Sequence, residues 1–113
     1  RKLSEALKVN SQLRELSLHR CYIGPKGAWH LKEGFLVNRC LERVSLVSNG
    51  MAVGGVQVLV NPLLQSNGTL RSFELVDNGV EDEGGRYVAR ALQSNQALTS
   101  LNLSQNMIGD EGM

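Results

Sequence analysis

Four side chains in the sequence belong to types that commonly carry chemistry: the two histidines, His19 and His30, and the two cysteines, Cys21 and Cys40. Imidazole and thiol groups act as general bases, nucleophiles and metal ligands where several of them meet. His19 lies on a predicted strand whereas His30 lies in a predicted helix, so we do not expect the two rings to meet. Neither cysteine has a second cysteine or histidine at metal-ligand spacing. The sequence therefore predicts neither a catalytic pair nor a metal site.

A disulfide between the cysteines is not expected either. Cys40 precedes one predicted strand, while Cys21 follows the neighbouring strand at its other end. Strand residues at ~3.3 Å each separate the two by roughly 20 Å, whereas a disulfide needs Cα atoms within about 7 Å. Two free thiols fit a reducing compartment and hence a cytoplasmic location. Cys21 is expected to donate a weak hydrogen bond from a buried thiol.

Two glycine pairs resemble the glycine-rich segments of phosphate-binding loops. Gly54-Gly55 and Gly84-Gly85 both lack the following Lys-Ser or Lys-Thr that a nucleotide-binding loop requires. We therefore expect no cofactor, no small-molecule substrate and no enzymatic activity.

Composition narrows the class of partner. The chain has 12 basic and 11 acidic residues, a formal charge of +1, so nothing in the charge balance favours nucleic acid. No apolar run approaches the ~20 residues of a membrane helix, so no membrane insertion is expected. Hydrophobic residues make up 42% and aromatic residues only 4%, which favours a core of aliphatic layers.

The elements that position these residues follow from an internal repeat. An apolar pattern spaced as Leu-x-x-Leu-x-Leu begins at Leu13, Leu41, Leu70 and Leu98, so successive units are 28, 29 and 28 residues apart. Alternation at the end of the pattern predicts a short strand. Apolar residues at helical intervals then predict a helix. We expect parallel strands over approximately 15–18, 43–46, 72–75 and 100–103, with helices between them.

This pattern resembles the leucine-rich repeats of ribonuclease inhibitor and of the NOD-like receptors, above all in the last unit, Leu98 to Gly112. The resemblance implies an α/β fold: a right-handed leucine-rich repeat solenoid, or horseshoe, with a parallel sheet on the concave side and helices on the convex side. The units are a half repeat over 1–12, repeats over 13–40, 41–69 and 70–97, and a partial repeat over 98–113. Because stacked units need polar caps at their ends, we expect one domain, 1–113, that is a fragment of a longer solenoid.

The second complete unit departs from the others. It has one extra residue, and Pro62 falls inside its helix. Proline removes a backbone hydrogen bond from a helix, so we expect the helix to bend or break there.

Asparagines recur at two places in each unit. Eight residues after each start come Cys21, Asn49, Asn78 and Asn106, and we expect this structural ladder to satisfy backbone groups where each strand ends. Asn10, Asn38, Asn67 and Asn95 recur at helix ends, where asparagine tolerates a left-handed turn.

Two surfaces are candidates for partner binding. The strand face is small, polar and free of aromatic residues; its candidates are Glu15, His19, Arg20, Arg43, Glu74, Asp77 and Asn102. Glu15 and Arg43 are expected to form a solvated cross-strand pair. The helical face has the only tryptophan; its candidates are Trp29, Leu36, Val37, Val58, Leu64 and Tyr87. Either this face is a contact patch, or Pro62 re-aims its helix so that these side chains cover one another.

The function that this pattern favours is a protein-interaction scaffold whose partner is a protein within a larger complex, because stacked repeats present a long docking surface. Relatives with this fold leave two alternatives open: a GTPase activator of the Ran-activating type, and the ligand-sensing region of a NOD-like innate-immune receptor.

Overall fold

Helices and strands alternate along the described residues of the computed structural model, which are 2–65 and 68–109. The helices are α1 (Lys2–Val9), α2 (Gly24–Val37), α3 (Ala52–Val60) and α4 (Glu81–Leu92), with a π-helical turn over Asn61–Gln65. The strands are β1 (Glu15–Ser17), β2 (Arg43–Ser45), β3 (Ser72–Glu74) and β4 (Ser100–Asn102).

The four strands form one parallel sheet in the order β1-β2-β3-β4. Leu16 pairs with Val44, Val44 with Phe73, and Phe73 with Leu101. The predicted strands are confirmed, each shorter by one residue at its end. Consecutive parallel strands joined by a helix give the βα solenoid that the repeat predicts.

The core lies between the sheet and the helices. The apolar residues of each strand face the helices, and Val44, Leu46, Phe73 and Leu75 are fully buried. The recurring glycine of each unit allows close packing: a Cβ on Gly84 would lie 2.6 Å from Val80. Only a residue without a side chain leaves room there for the apolar side chain of the preceding turn.

The first two helices approach closely at one point. The Gly34 N–H donates to the Ser4 hydroxyl at 2.9 Å, and Ser4 is buried. A Cβ on Gly34 would lie 2.7 Å from the Ser4 carbonyl oxygen, so the backbones meet without a side chain between them.

The extra residue of the second unit is absorbed beside Pro62. α3 ends at Val60, and the chain continues as a π-helical turn, which accommodates one additional residue in a helix. The predicted break at Pro62 is confirmed.

The π-helical turn also corrects the position of Leu64. We expected its side chain to face outward, but it is only 1% exposed. Because the insertion precedes Leu64, this residue stands six places before the next repeat, as the buried Phe35 does in the unit before. Leu64 therefore belongs to the core and not to a partner-binding patch.

Candidate functional site

The asparagine ladder connects neighbouring repeats. The Cys21 N–H donates to the Asn49 Oδ1 and the Asn49 N–H to the Asn78 Oδ1, both at 2.8 Å. The Asn78 N–H donates in the same way to Asn106. The amide group of each asparagine donates back to the preceding repeat, at the carbonyls of Leu18, Leu46 and Leu75. All three asparagines are buried, so their role is to satisfy backbone groups that the sheet no longer pairs.

Cys21 stands at the end of this ladder. Its thiol donates to the His19 carbonyl oxygen at 3.4 Å, as expected, but the residue is exposed and not buried. Among the described residues, no strand covers the outer side of β1, which explains the exposure. Cys21 and Cys40 are both free thiols, as predicted.

The asparagines at the helix ends have a different geometry from the one expected. Asn38 is extended, with φ −66° and ψ 132°, and neither Asn10 nor Asn95 has a positive φ. Instead, each Oδ1 accepts from the backbone N–H groups two and three residues further on, as at Cys40 and Leu41. These side chains fix the turn into the next strand. Asn67 lies outside the described residues.

The strand face carries a charge-balanced depression of about 420 Å³. Glu15 and Arg43 are register partners on β1 and β2, and Arg71 and Glu74 line the same depression. The ion pair found among the described residues lies one position earlier, between the exposed Arg14 and Glu42, whose Nε and Oε2 are 3.7 Å apart.

Polar side chains on this face satisfy one another. The His19 Nε2 lies 2.9 Å from the Ser17 hydroxyl and 3.1 Å from that of Ser45. The Ser48 hydroxyl donates to Asp77 at 2.7 Å. Asn102 is half-buried, and its Oδ1 accepts from the backbone N–H and the hydroxyl of Ser104. Arg20 is exposed beyond β1, where its φ is 54°.

The helical face presents an exposed aromatic side chain. Trp29 is 55% exposed, although two side chains contact its ring. The Lys32 Nζ lies 4.4 Å from the ring centroid, and the His30 ring is nearly perpendicular to the indole, with the two ring centroids 5.8 Å apart. These two contacts restrain the indole without covering it. Leu36 and Val37, further along α2, are also exposed, at 40% and 48%.

A groove of about 350 Å³ runs between α2 and α3 beside Trp29. It is lined by Trp29, Lys32, Glu33, Leu36, Gln57, Val58, Asn61 and Pro62. The half-buried Val58 therefore lies in the groove, as predicted for an outward residue, and Pro62 does not cover Trp29 or Leu36. Tyr87 lies on α4, is half-buried and packs against the hydrophobic core. Its hydroxyl donates to Glu83 at 3.5 Å.

The outermost row of α3 differs from those of its neighbours. At the same three places of the repeat, all exposed, α2 has Lys26, Trp29 and Glu33, and α4 has Glu83, Arg86 and Arg90. The second unit has Gly54 and Gln57 on α3 and Asn61 at the start of the π-helical turn. We call Gly54, Gln57 and Asn61 the uncharged row. The repeat pattern did not reveal it, but its signal is in the sequence, because residues 44–70 contain no charged side chain and no histidine.

The described part of the chain has neither a metal-binding cluster nor a membrane-spanning helix. Within residues 2–65 and 68–109, no three His, Cys, Asp or Glu side chains stand together as a metal site would require. No helix in the same ranges is both long enough and apolar enough to cross a membrane.

Comparison with known proteins agrees with the βα solenoid. A family model for leucine-rich repeats matches residues 66–89 and 94–113. A structure of leiomodin-1 titled actin-binding site 2 superposes with a TM-score of 0.84 at 19% identity, over 98% of this chain and 66% of that one. The tropomodulin C-terminal domain of Caenorhabditis elegans gives 0.80 at 16% identity, over 93% and 63%. No curated protein matches the sequence.

Parallel strands, outer helices and a buried asparagine ladder define a solenoid of βα repeats. Because the two similar structures are only 19% and 16% identical to this chain in sequence, they support the fold alone. The described residues have the leucine-rich repeat fold, and residues 66–89 and 94–113 match the repeat family by sequence. It spans slightly less than two thirds of each of the two similar structures.

Proposed function

We propose that this chain is a non-enzymatic protein-recognition module of a larger cytoplasmic protein or assembly, and that it binds its partner through the helical patch formed by Trp29, Leu36, Val37 and Val58. The observation that carries the proposal is Trp29, which is more than half exposed yet held in place by Lys32 and His30. Tryptophan is enriched among residues that dominate binding energy. An indole that is already restrained loses little conformational freedom on binding.

The strand face supports this role less well. Its depression is polar and charge-balanced, with Arg43 and Arg71 alongside Glu15 and Glu74. His19, Ser17 and Ser45 already hydrogen-bond to one another. A partner would have to replace these contacts, and the face offers no aromatic anchor in return.

Actin is the first partner to test. The leiomodin-1 structure, which is that of actin-binding site 2, shares the fold over 98% of this chain. No contact among the described residues favours a GTPase activator or an innate-immune sensor over a general recognition role.

The test compares two exposed aromatic residues. Binding of fluorescently labelled chain to monomeric and to filamentous actin is measured for the unchanged protein, Trp29→Ala and Tyr22→Ala. Tyr22 is 95% exposed and lies in the loop after β1, outside the groove. Loss of an aromatic anchor costs at least about 2 kcal/mol of binding, or roughly thirtyfold in affinity, so we expect this loss for Trp29→Ala alone.

A further variant, Arg43→Ser, distinguishes binding through the helical face from binding through the strand face. Binding that survives Trp29→Ala but is lost in Arg43→Ser would assign the contact to the strand face and overturn the proposed surface. An absence of binding to either form of actin would exclude actin as the partner.

A further inference from the structure

The uncharged row and the groove beside it point to a particular kind of partner. We infer that the groove between α2 and α3 receives a short amphipathic α-helix of the partner protein, whose contacting row carries no charge. This inference rests on the proposed function and deepens it, since it specifies the chemistry that the helical patch recognises.

The lack of charge on α3 is not a requirement of the fold. α4 carries Glu83, Arg86 and Arg90 at the three corresponding exposed places and forms a regular helix. Glycine at position 54 even disfavours a helix, compared with residues that have a side chain. A solvent-facing row would tolerate charge, as α4 shows, whereas the centre of a protein interface is depleted of it. The composition of the row therefore fits a surface that a partner covers.

The walls of the groove favour a helix over an extended segment. An extended peptide gains affinity by pairing its backbone with an open sheet edge. α2 and α3 offer no such edge, because the backbone groups within a helix bond to one another. A partner helix brings its own hydrogen bonds and needs only side-chain contacts.

The spacing of the apolar side chains also suits a helix. Trp29 and Leu36 stand two turns apart on α2, about 10.5 Å at 1.5 Å per residue. Val58 on α3 and Pro62 in the π-helical turn that follows it also line the groove, four residues apart. A helix that lies along the groove presents its own side chains at intervals of three, four and seven residues, which match these distances.

Charge decides which face of the partner helix turns inward. A charged side chain placed against the uncharged row would lose water and find no opposite charge, which is unfavourable. Lys32 and Glu33 line the α2 side of the groove and offer one charge of each sign. The partner helix therefore has an uncharged row toward α3, and any charged residue that it places inside the groove faces α2.

A peptide library supplies the probe. Displayed 16-residue helical peptides, randomised along one face and containing no tryptophan, are selected against the chain. We expect the selected peptides to share an uncharged, largely aliphatic row. The affinity of one such peptide is then measured for the chain and for the variants Gln57→Lys, Gln57→Met, Gln93→Lys and Trp29→Ala.

Gln57 is exposed and lines the groove, whereas Gln93 is exposed at the end of α4, outside it. Gln57→Lys should weaken binding on the order of a hundredfold, because it places a charge against the uncharged row of the partner helix. Gln57→Met, which changes the side chain without adding charge, should weaken binding much less than Gln57→Lys does. Gln93→Lys repeats the charge change elsewhere and should alter the affinity by about twofold at most.

The outcomes distinguish the inference from the function on which it rests. If peptides lose affinity with Trp29→Ala but not with Gln57→Lys, the helical patch binds but the role of the uncharged row is wrong. If they are insensitive to both variants, the proposed surface is wrong as well. A selection that yields charged rows, or no binding peptide, overturns the inference.

Discussion

The side-chain oxygen of Asn78 accepts a hydrogen bond from the backbone N–H of Asn49 at 2.8 Å, which joins one repeat to the next. The amide group of Asn78 donates to the carbonyl of Leu46, in the same neighbouring repeat. A single buried carboxamide therefore satisfies a donor and an acceptor that the short strands leave unpaired. The stability of each repeat depends on this connection to its neighbour.

Removal of one ladder side chain should cost more than removal of the half-buried asparagine on the strand face, Asn102. Asn78→Ala leaves the Asn49 N–H and the Leu46 carbonyl without partners in a buried place, at about 1–3 kcal/mol for each unsatisfied group. Asn102→Ala removes acceptor contacts to Ser104, which lies at the surface, where water can replace them. Urea denaturation of both variants measures the difference, and equal midpoints would show that the ladder does not have this role.

Alanine substitutions at two glycines, Gly34 on α2 and Gly54 on α3, should change the stability of the fold in opposite directions. Gly34→Ala places a Cβ 2.7 Å from the Ser4 carbonyl oxygen, so α1 and α2 must separate, at a cost of about 1–3 kcal/mol. At Gly54 a new Cβ finds its nearest neighbour, on Pro25, at 3.8 Å. Gly54→Ala should therefore stabilise the fold by roughly 0.5–1 kcal/mol through helix propensity. Thermal denaturation decides this, and a destabilised Gly54→Ala together with an unaffected Gly34→Ala would contradict the described helix packing.

The free thiols can be counted directly. Cys21 is exposed and Cys40 is half-buried, and neither forms a disulfide. Thiol labelling of the denatured chain without reductant should find two groups per molecule. A count of zero in monomeric protein would require Cys21 and Cys40 to be joined, which the arrangement of β1 and β2 does not allow.

Almost all of the fold could be predicted from the sequence because the same apolar pattern recurs in every repeat. Each apolar position of the strand pattern recurs in every unit, so the register of Leu16, Val44 and Phe73 followed from alignment of the repeats. Two of the errors lie where one unit departs from the others. Leu64 is buried because an extra residue shifts its phase, and Cys21 is exposed because no described strand lies beyond β1.

The candidate site was only partly predictable for the same reason. The exposure of Trp29 followed from its place in the repeat, but the groove depends on how α3 and Pro62 lie against α2. Packing between neighbouring helices is a property of three-dimensional structure that no single repeat contains. The absence of charge over residues 44–70 was visible in the sequence. Only the structure shows that α4 carries charged residues at the corresponding exposed places, so that the fold itself does not require this absence.

Substitution of Trp29 separates stability from binding. Because its side chain is more than half exposed, Trp29→Ala should leave the melting temperature nearly unchanged, as expected for most surface substitutions. Calorimetry of the variant checks this. A loss of several kcal/mol of unfolding free energy would mean that Trp29 contributes to the core and that its effect on binding is indirect.

The accessibility of Trp29 in the free and bound chain tests the central claim most directly. Trp29 is the only tryptophan in the sequence, so its fluorescence reports on this one position. Acrylamide should quench it strongly in the free chain, and much less when a selected helical peptide without tryptophan fills the groove at saturation. Unchanged quenching at full occupancy would show that the partner binds elsewhere, and would contradict the assignment of the helical face as the recognition surface.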